Sequence, residues 1–202
     1  MQAAEYPNLG HVVIRGKADD ARFVDAAQAA LGGNLPAASG AIAVCRAGVV
    51  LWQSPDEWWL ACTRGERDAT VAELRDALKD CFAQVVDNSG GFTALHLRGR
   101  DWSRVLRHLS PFDIDGLGVR TSASTVIGKT AYTIVRTGED AVTLLFRRSF
   151  AQYVWDLVER ASRPYGLAAV EAQAVPDGLF SELLLERVTA PAPAAARAAG
   201  PA

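Results

Sequence analysis

The stretch Arg147-Arg-Ser-Phe-Ala-Gln-Tyr-Val-Trp-Asp-Leu-Val-Glu-Arg160 decides how this chain is read. It follows a β-branched and apolar run, Ala141 to Phe146, and switches from strand-like to helical spacing. Ser149 is placed to cap the helix, and Gln152, three residues on, to close a capping box. Phe150, Val154, Leu157 and Ala161 recur at helical spacing and make one apolar face. A strand feeding directly into an amphipathic helix calls for a sheet covered by helices. The rest of the chain supplies one.

Upstream, His11 to Arg15 reads as a strand, and Asp19 or Asp20 caps a helix that Gly32-Gly33 ends near Leu31. Ala41 to Cys45, Val49 to Gln53 and Trp58 to Thr63 are strands, the last two joined by the turn Ser54-Pro55-Asp56-Glu57. Thr70 and Glu73 predict a capping box for a helix whose face is Val71, Leu74, Leu78 and Cys81, and Phe82 to Val86 is strand-like again. The order then restarts. Phe92 to Arg98 is a strand, Asp101 caps a helix presenting Trp102, Val105, Leu106 and Leu109, and Pro111 ends it. Strands follow at Thr125 to Ile127, Ala131 to Arg136 and Ala141 to Phe146.

Arg15-Gly16 and Arg98-Gly99 lie 83 positions apart, as do Asp56 and Glu139, a constant register that predicts a duplication. Each half reads strand-helix-strand-strand-strand-helix. The fold class is α+β, two ferredoxin-like pseudo-repeats at about 11–87 and 92–165 packed as one body. The body spans 1–167. Residues 168–202 form a C-terminal extension, with a short amphipathic helix at Leu179 to Val188 and an Ala/Pro-rich tail after Thr189.

Composition excludes several functions. With 21 basic and 23 acidic residues the net charge is −2, which gives no general attraction for a phosphate backbone, so nucleic acid is not an expected partner. No apolar run reaches the roughly 18 residues of a membrane helix, and MQAAEYPNLG lacks the basic and apolar regions of a signal peptide, so a cytoplasmic location is expected. Cys45, Cys62 and Cys81 are too widely spaced for a disulfide framework and read as small buried hydrophobes. His11, His96 and His108 show no metal-ligand spacing.

A catalytic constellation is not found. Ser89, in Asp87-Asn88-Ser89-Gly90-Gly91, lies in a turn whose glycines are expected at positive φ rather than in a nucleophile elbow. Gly116-Leu117-Gly118 opens like a dinucleotide loop, but Thr121 breaks the pattern. Asp113 and Asp115 read as solvated loop carboxylates, His96 as a structural or interfacial residue, and His108 as a helix-end donor. Catalytic, cofactor-binding and metal-binding residues are therefore all expected to be absent. Arg147 and Arg148, before a helix start, can hold a carboxylate or phosphate or make a salt bridge. Trp58 and Trp59 are consecutive on a strand and face opposite sides, one to the core and the other to a second layer or a partner. Trp58, Trp59, Arg147 and Arg148 are the interface candidates.

Trp52, Ser54-Pro55-Asp56-Glu57-Trp58, Val86-Asp87-Asn88-Ser89, Leu109-Ser-Pro-Phe-Asp113, Arg120-Thr121 and Arg148-Ser149-Phe150-Ala151 with Tyr153 and Trp155 together resemble the gamma subunit of heterotetrameric sarcosine oxidase. The likeness runs from about Val12 to Tyr165. That family is similar to the folate-binding domain of glycine-cleavage aminomethyltransferases. In that wider group an aspartate pair opens a strand and serves the folate chemistry. Here the matching positions are Thr130 and Ala131, which cannot accept a proton as a carboxylate does. A K-G-C-Y-x-G-Q-E signature of related folate proteins is also missing.

The resemblance implies a non-catalytic gamma subunit that contributes assembly and stability. Its complex turns sarcosine, oxygen and tetrahydrofolate into glycine, hydrogen peroxide and methylenetetrahydrofolate. It implies the alpha subunit as chief partner, with beta and delta, and places FAD, FMN, NAD, tetrahydrofolate and zinc in those other subunits. The alternatives are a stand-alone folate-binding one-carbon transferase-like protein and an accessory subunit of another N-methyl amine flavoprotein.

Overall fold

Strand alternation divides the apolar residues between two faces. On the strand Glu57–Thr63, Trp58, Leu60 and Cys62 point one way into one core cluster, and Trp59 and Ala61 the other way into a second. A sheet apolar on both faces must be covered on both. The computed structural model, which describes residues 1–184, shows how this is done.

The strands and helices run β1 (Gln2–Tyr6), β2 (Leu9–Arg15), α1 (Ala21–Leu31), β3 (Ile42–Cys45), β4 (Gly48–Ser54), β5 (Glu57–Thr63), α2 (Arg67–Ala77) and β6 (Gln84–Asp87). They continue as β7 (Phe92–Arg98), α3 (Trp102–Arg107), β8 (Ser122–Ile127), β9 (Thr130–Gly138), β10 (Ala141–Arg147), α4 (Ala151–Ser162) and β11 (Ala168–Ala169). One sheet has the order β3-β4-β5-β2-β6, the other β11-β1-β7-β10-β9-β8. Helices α1 and α2 cover the outer face of the first over Phe23, Leu31, Leu74 and Trp58. Helices α3 and α4 cover the second over Trp102, Leu106, Val154 and Ile134. The inner faces meet on Tyr6, Leu51, Ala61, Val135 and Leu145. The result is four layers, helix–sheet–sheet–helix, an α+β architecture as expected.

The duplication is present in the expected register. Strands β2 and β5 and helix α2 begin at residues 9, 57 and 67, and β7, β10 and α4 at 92, 141 and 151, a shift of 83 or 84. Each half has three strands between its helices, where a ferredoxin-like unit has two. One exchange was not foreseen. Strand β1 pairs antiparallel with β7 in the second half's sheet, while β6, which leads into the second half, pairs antiparallel with β2 in the first. The two strands related by this register thus part company: β1 lies in the second half's sheet and β6 in the first.

Three helix starts differ in how well their side chains explain them. Asp20 caps α1 by accepting the Arg22 N–H, and Gly32 ends it in the left-handed region at φ 66°. Thr70 does not cap α2; it lies inside the helix and donates to the Glu66 carbonyl. Ser149 does not cap α4 either, because Arg148–Phe150 forms a 3₁₀ turn and the α-helix starts at Ala151. Gln152 donates instead to Asp156, one turn on. The buried face of α4 is Val154 and Val158, with Leu157 and Ala161 beside them, and Phe150 is exposed.

Segment 168–184 returns to the body. β11 adds a parallel strand to β1, and Val175, Leu179 and Phe180 are buried between the sheets. Of the amphipathic helix expected at 179–188, Ser181–Leu184 is a 3₁₀ turn and the remainder lies outside the described residues, as does the Ala/Pro-rich tail.

Candidate functional site

The candidate site grows from the loop Asp87 to Gly91, where the chain crosses from one sheet to the other. Asp87 accepts the Ser89 N–H and hydroxyl at 2.9 and 2.5 Å, and the Ser89 hydroxyl oxygen accepts the His11 N–H at 2.9 Å. Ser89 is thus spent on a turn, as its sequence context implied. Neither glycine has positive φ; Gly91 serves by size, since a Cβ there would sit 2.6 Å from the Asn88 amide oxygen, while Gly90 faces open space. Beyond the turn, Phe92 enters the space between the sheets. It stacks on His11 with centroids 4.2 Å apart and planes 3° from parallel. Trp59 meets both rings edge-on, at 4.7 and 5.0 Å.

His11 is buried, and neither ring nitrogen has a partner among the described residues. Burial, the largest cause, pushes its pKa down to about 4; Asp87 opposes this and Arg147 reinforces it. The imidazole is therefore a neutral aromatic plate at physiological pH.

The four interface candidates separate. Trp58 is 1 % exposed, stacks obliquely on Phe23 and donates to the Pro36 carbonyl at 2.7 Å. It is a core residue and offers no surface to a partner. Trp59 faces the second sheet, half-buried, and donates to Glu57. Arg148 donates to the carbonyls of Pro7 and Phe92, tying the β1–β2 turn to the start of β7. Arg147 is exposed, with its guanidinium 5.3 Å over the Phe92 ring. Neither arginine forms an ion pair among the described residues.

Beside Trp59 and Phe92 a cavity of about 420 Å³ opens between the sheets. Gln53 forms part of its wall, with Oε1 accepting hydroxyl bonds from Ser124 at 2.7 Å and Thr133 at 3.2 Å. Its Nε2 is buried without a partner. Thr130 opens β9 and is buried, and Ala131 faces the cavity, so the two positions matching the aspartate pair bring no carboxylate to it.

A second polar group lies deep between the sheets, and sequence reasoning found only half of it. Thr143 donates to Asp177 Oδ2 at 3.1 Å, and His96 Nδ1 is 2.9 Å from the Thr143 hydroxyl. Asp177 Oδ1 accepts the N–H groups of Leu179, Phe180 and Ser181 at 2.8 to 2.9 Å. Both the His96 and Asp177 side chains are fully buried. Burial lowers the His96 pKa and Asp177 opposes it. The threonine hydroxyl donates to the carboxylate and not to an imidazole nitrogen, so it is not primed as a nucleophile. This is a latch that fastens the C-terminal segment, with Tyr6 adding a bond to the Val175 carbonyl.

Other residues are accounted for locally. Asp115 pairs with Arg107, Asp113 accepts the Gly116 N–H, and His108 ends α3. The three cysteines are free; Cys62 is buried, which pushes its thiol up to about 12, whereas Cys45 and Cys81 are half-buried. No group of three or more metal-binding side chains occurs among the described residues, nor any helix long and apolar enough to cross a membrane.

The layered duplication places the chain in a known structural class. Glycine cleavage system aminomethyltransferase T from Bartonella henselae superposes with a TM-score of 0.62 over 84 % of this chain and 47 % of that one, at 18 % identity, a likeness of fold. Within that class the chain belongs to the sarcosine oxidase gamma subunit family, whose pattern matches residues 15–164. It is 36 % identical over 128 residues to sarcosine oxidase subunit gamma of Corynebacterium sp. strain U-96, covering 62 % of each chain. The counterpart from strain P-1 is 32 % identical over 156 residues, covering 76 % of this chain and 75 % of that one. A chain of the heterotetrameric sarcosine oxidase from strain U-96, solved with pyrrole 2-carboxylate, superposes with a TM-score of 0.75 at 30 % identity. That match covers 83 % of this chain and 86 % of the other.

Proposed function

We propose that this chain is the gamma subunit of a heterotetrameric, cytoplasmic sarcosine oxidase, contributing assembly and stability and not chemistry. The observation that carries this is the superposition on a chain of such a complex over 83 % of the length, within a family match spanning residues 15–164. The alpha subunit is the chief partner, with beta and delta completing the assembly. The complex converts sarcosine, oxygen and tetrahydrofolate to glycine, hydrogen peroxide and methylenetetrahydrofolate. FAD, FMN, NAD, tetrahydrofolate and zinc belong to the other subunits. Thr130 and Ala131, in place of carboxylates, support a supporting role. So does the use of Ser89, Thr143 and His96 in structural bonds. The face carrying Arg147, Arg148 and the rim of Trp59 is the docking region.

Co-expression with the three other subunits tests this. The expected result is a flavin-coloured complex, retained through a tag on this chain, that oxidises sarcosine. A colourless chain eluting alone, with an equally active three-subunit oxidase in the flow-through, overturns the proposal.

A further inference from the structure

The duplication lets one edge of the molecule be compared with its own counterpart. Under the 83-residue shift, Ile14 and Arg15 of β2 match Leu97 and Arg98 of β7. Val85 and Gln84 pair with the first two, Ala3 and Gln2 with the second two, so β6 stands beside β2 where β1 stands beside β7. Further out the halves differ. The outer edge of β1 is covered by β11, which runs parallel to it, and Ala168 and Val170 donate their N–H groups to the Met1 and Ala3 carbonyls at 3.0 and 2.9 Å. Outside β6 no strand follows among the described residues. The Val85 carbonyl, which matches that of Ala3, instead accepts the Arg75 guanidinium at 3.1 and 3.3 Å, a side chain standing in for a strand amide. Arg75 is exposed, so it can yield this place to a backbone N–H.

The same edge is apolar where it meets water. Phe82, just before β6, is 87 % exposed, and Val86 is 38 % exposed. A hollow of about 640 Å³, lined by Gly16, Lys17, Phe82 and Gln84 among others, opens at the start of the strand. The edge also runs on into the docking region: β6 ends at Asp87, and Gly91, in the loop that follows, accepts the Arg148 N–H at 2.9 Å. Every described strand already has a place in a sheet, so a strand to cover β6 comes from another chain. We infer that the β6 edge receives an extended segment of a partner subunit, which runs parallel to β6 as β11 runs parallel to β1 and sets apolar side chains against Phe82 and Val86. The segment gives the first sheet a sixth strand, the number the second already has. This assignment rests on the subunit role proposed above.

Hydrogen exchange over residues 82–87, read by mass spectrometry on the tagged four-subunit complex and on the free chain, tests it. Exchange about tenfold slower in the complex is expected. Phe82→Asp combined with Val86→Lys, both at exposed positions, should leave the melting temperature of the free chain unchanged and lower the yield of complex about tenfold. An assembled, active complex in which 82–87 exchange as fast as in the free chain overturns the assignment and leaves the subunit role standing. So does a folded double variant that assembles at the wild-type yield. Slow exchange already present in the free chain, deepening as its concentration rises, gives the edge to a second copy and overturns the assignment as well. A complex that never assembles overturns the subunit role and this assignment with it.

Discussion

His11 shows how a single residue records its surroundings. Its ring is stacked against Phe92 and Trp59 with no partner for either nitrogen, and burial holds its pKa near 4. The unfolded chain binds the proton with a pKa near 6.5. Between these values the unfolded state carries more protons than the folded one, so stability is complete above about pH 6.5 and falls as the pH drops toward 4. The full loss is on the order of 3 kcal/mol. His11→Phe retains an aromatic plate and has no proton to refuse. Urea midpoints at about pH 8 and about pH 4.5 should therefore diverge: the variant is near the wild type at the higher pH and gains about 2 kcal/mol on it at the lower. An equal effect at both values would show that His11 does not titrate in this window. None of this was legible in the sequence. His11 begins a β-branched run, and its aromatic neighbours arrive from residues 59 and 92, far along the chain.

The elements were read well where local chemistry decides them and poorly where packing does. Asp20 and Gly32 bound α1 because a cap and a left-handed glycine act within a few residues. Ser149 and Thr70 carry the same signature, yet neither caps; the strand–helix junctions there use a 3₁₀ turn and an earlier helix start. Strand β1, Gln-Ala-Ala-Glu-Tyr, carries no β-branched residue, so nothing in its spelling marks it as a strand. It is one because β7 and β11 accept it on both sides. Asp177 lay hidden in Pro-Asp-Gly, which spells a turn. Its worth comes from three amide groups and Thr143, those of Leu179, Phe180 and Thr143 out of water. Asp177→Ala strands those donors and should cost about 3 kcal/mol or more, read from denaturant unfolding. Asp177→Asn keeps one oxygen for the amides and should lose about half as much. Faster hydrogen exchange at Leu179 to Ser181 in the alanine variant would locate the loss. A variant series flat in both measurements would mean that the latch is idle.

At the scale of the whole molecule the duplication makes a sandwich of two sheets whose inner faces meet on one apolar cluster. The 83-residue register was visible in the sequence because turns and helix starts repeat even where side chains do not. The exchange itself was not visible, since pairing partners leave no trace in local spacing. Strand β1, ahead of the first half, is given to the second half's sheet, whereas its register mate β6 stays in the first, so the second sheet is completed only by β1 and β11 from outside 92–165. The C-terminal segment completes the closure: β11 extends the second sheet, and Val175, Leu179 and Phe180 fill the gap between the two. A chain ended after Leu167 would open that gap onto Tyr6, Leu51 and Val135, which are fully buried in the intact protein. Losing several such side chains removes roughly 5 kcal/mol or more, as much as the whole stability of many domains. The truncated chain should therefore bind a hydrophobic dye and unfold at much lower urea than the full-length protein. If the chain ended at Leu167 melts cooperatively at the full-length temperature, the inter-sheet core closes without the segment, and Asp177 fastens a strap that the fold does not need.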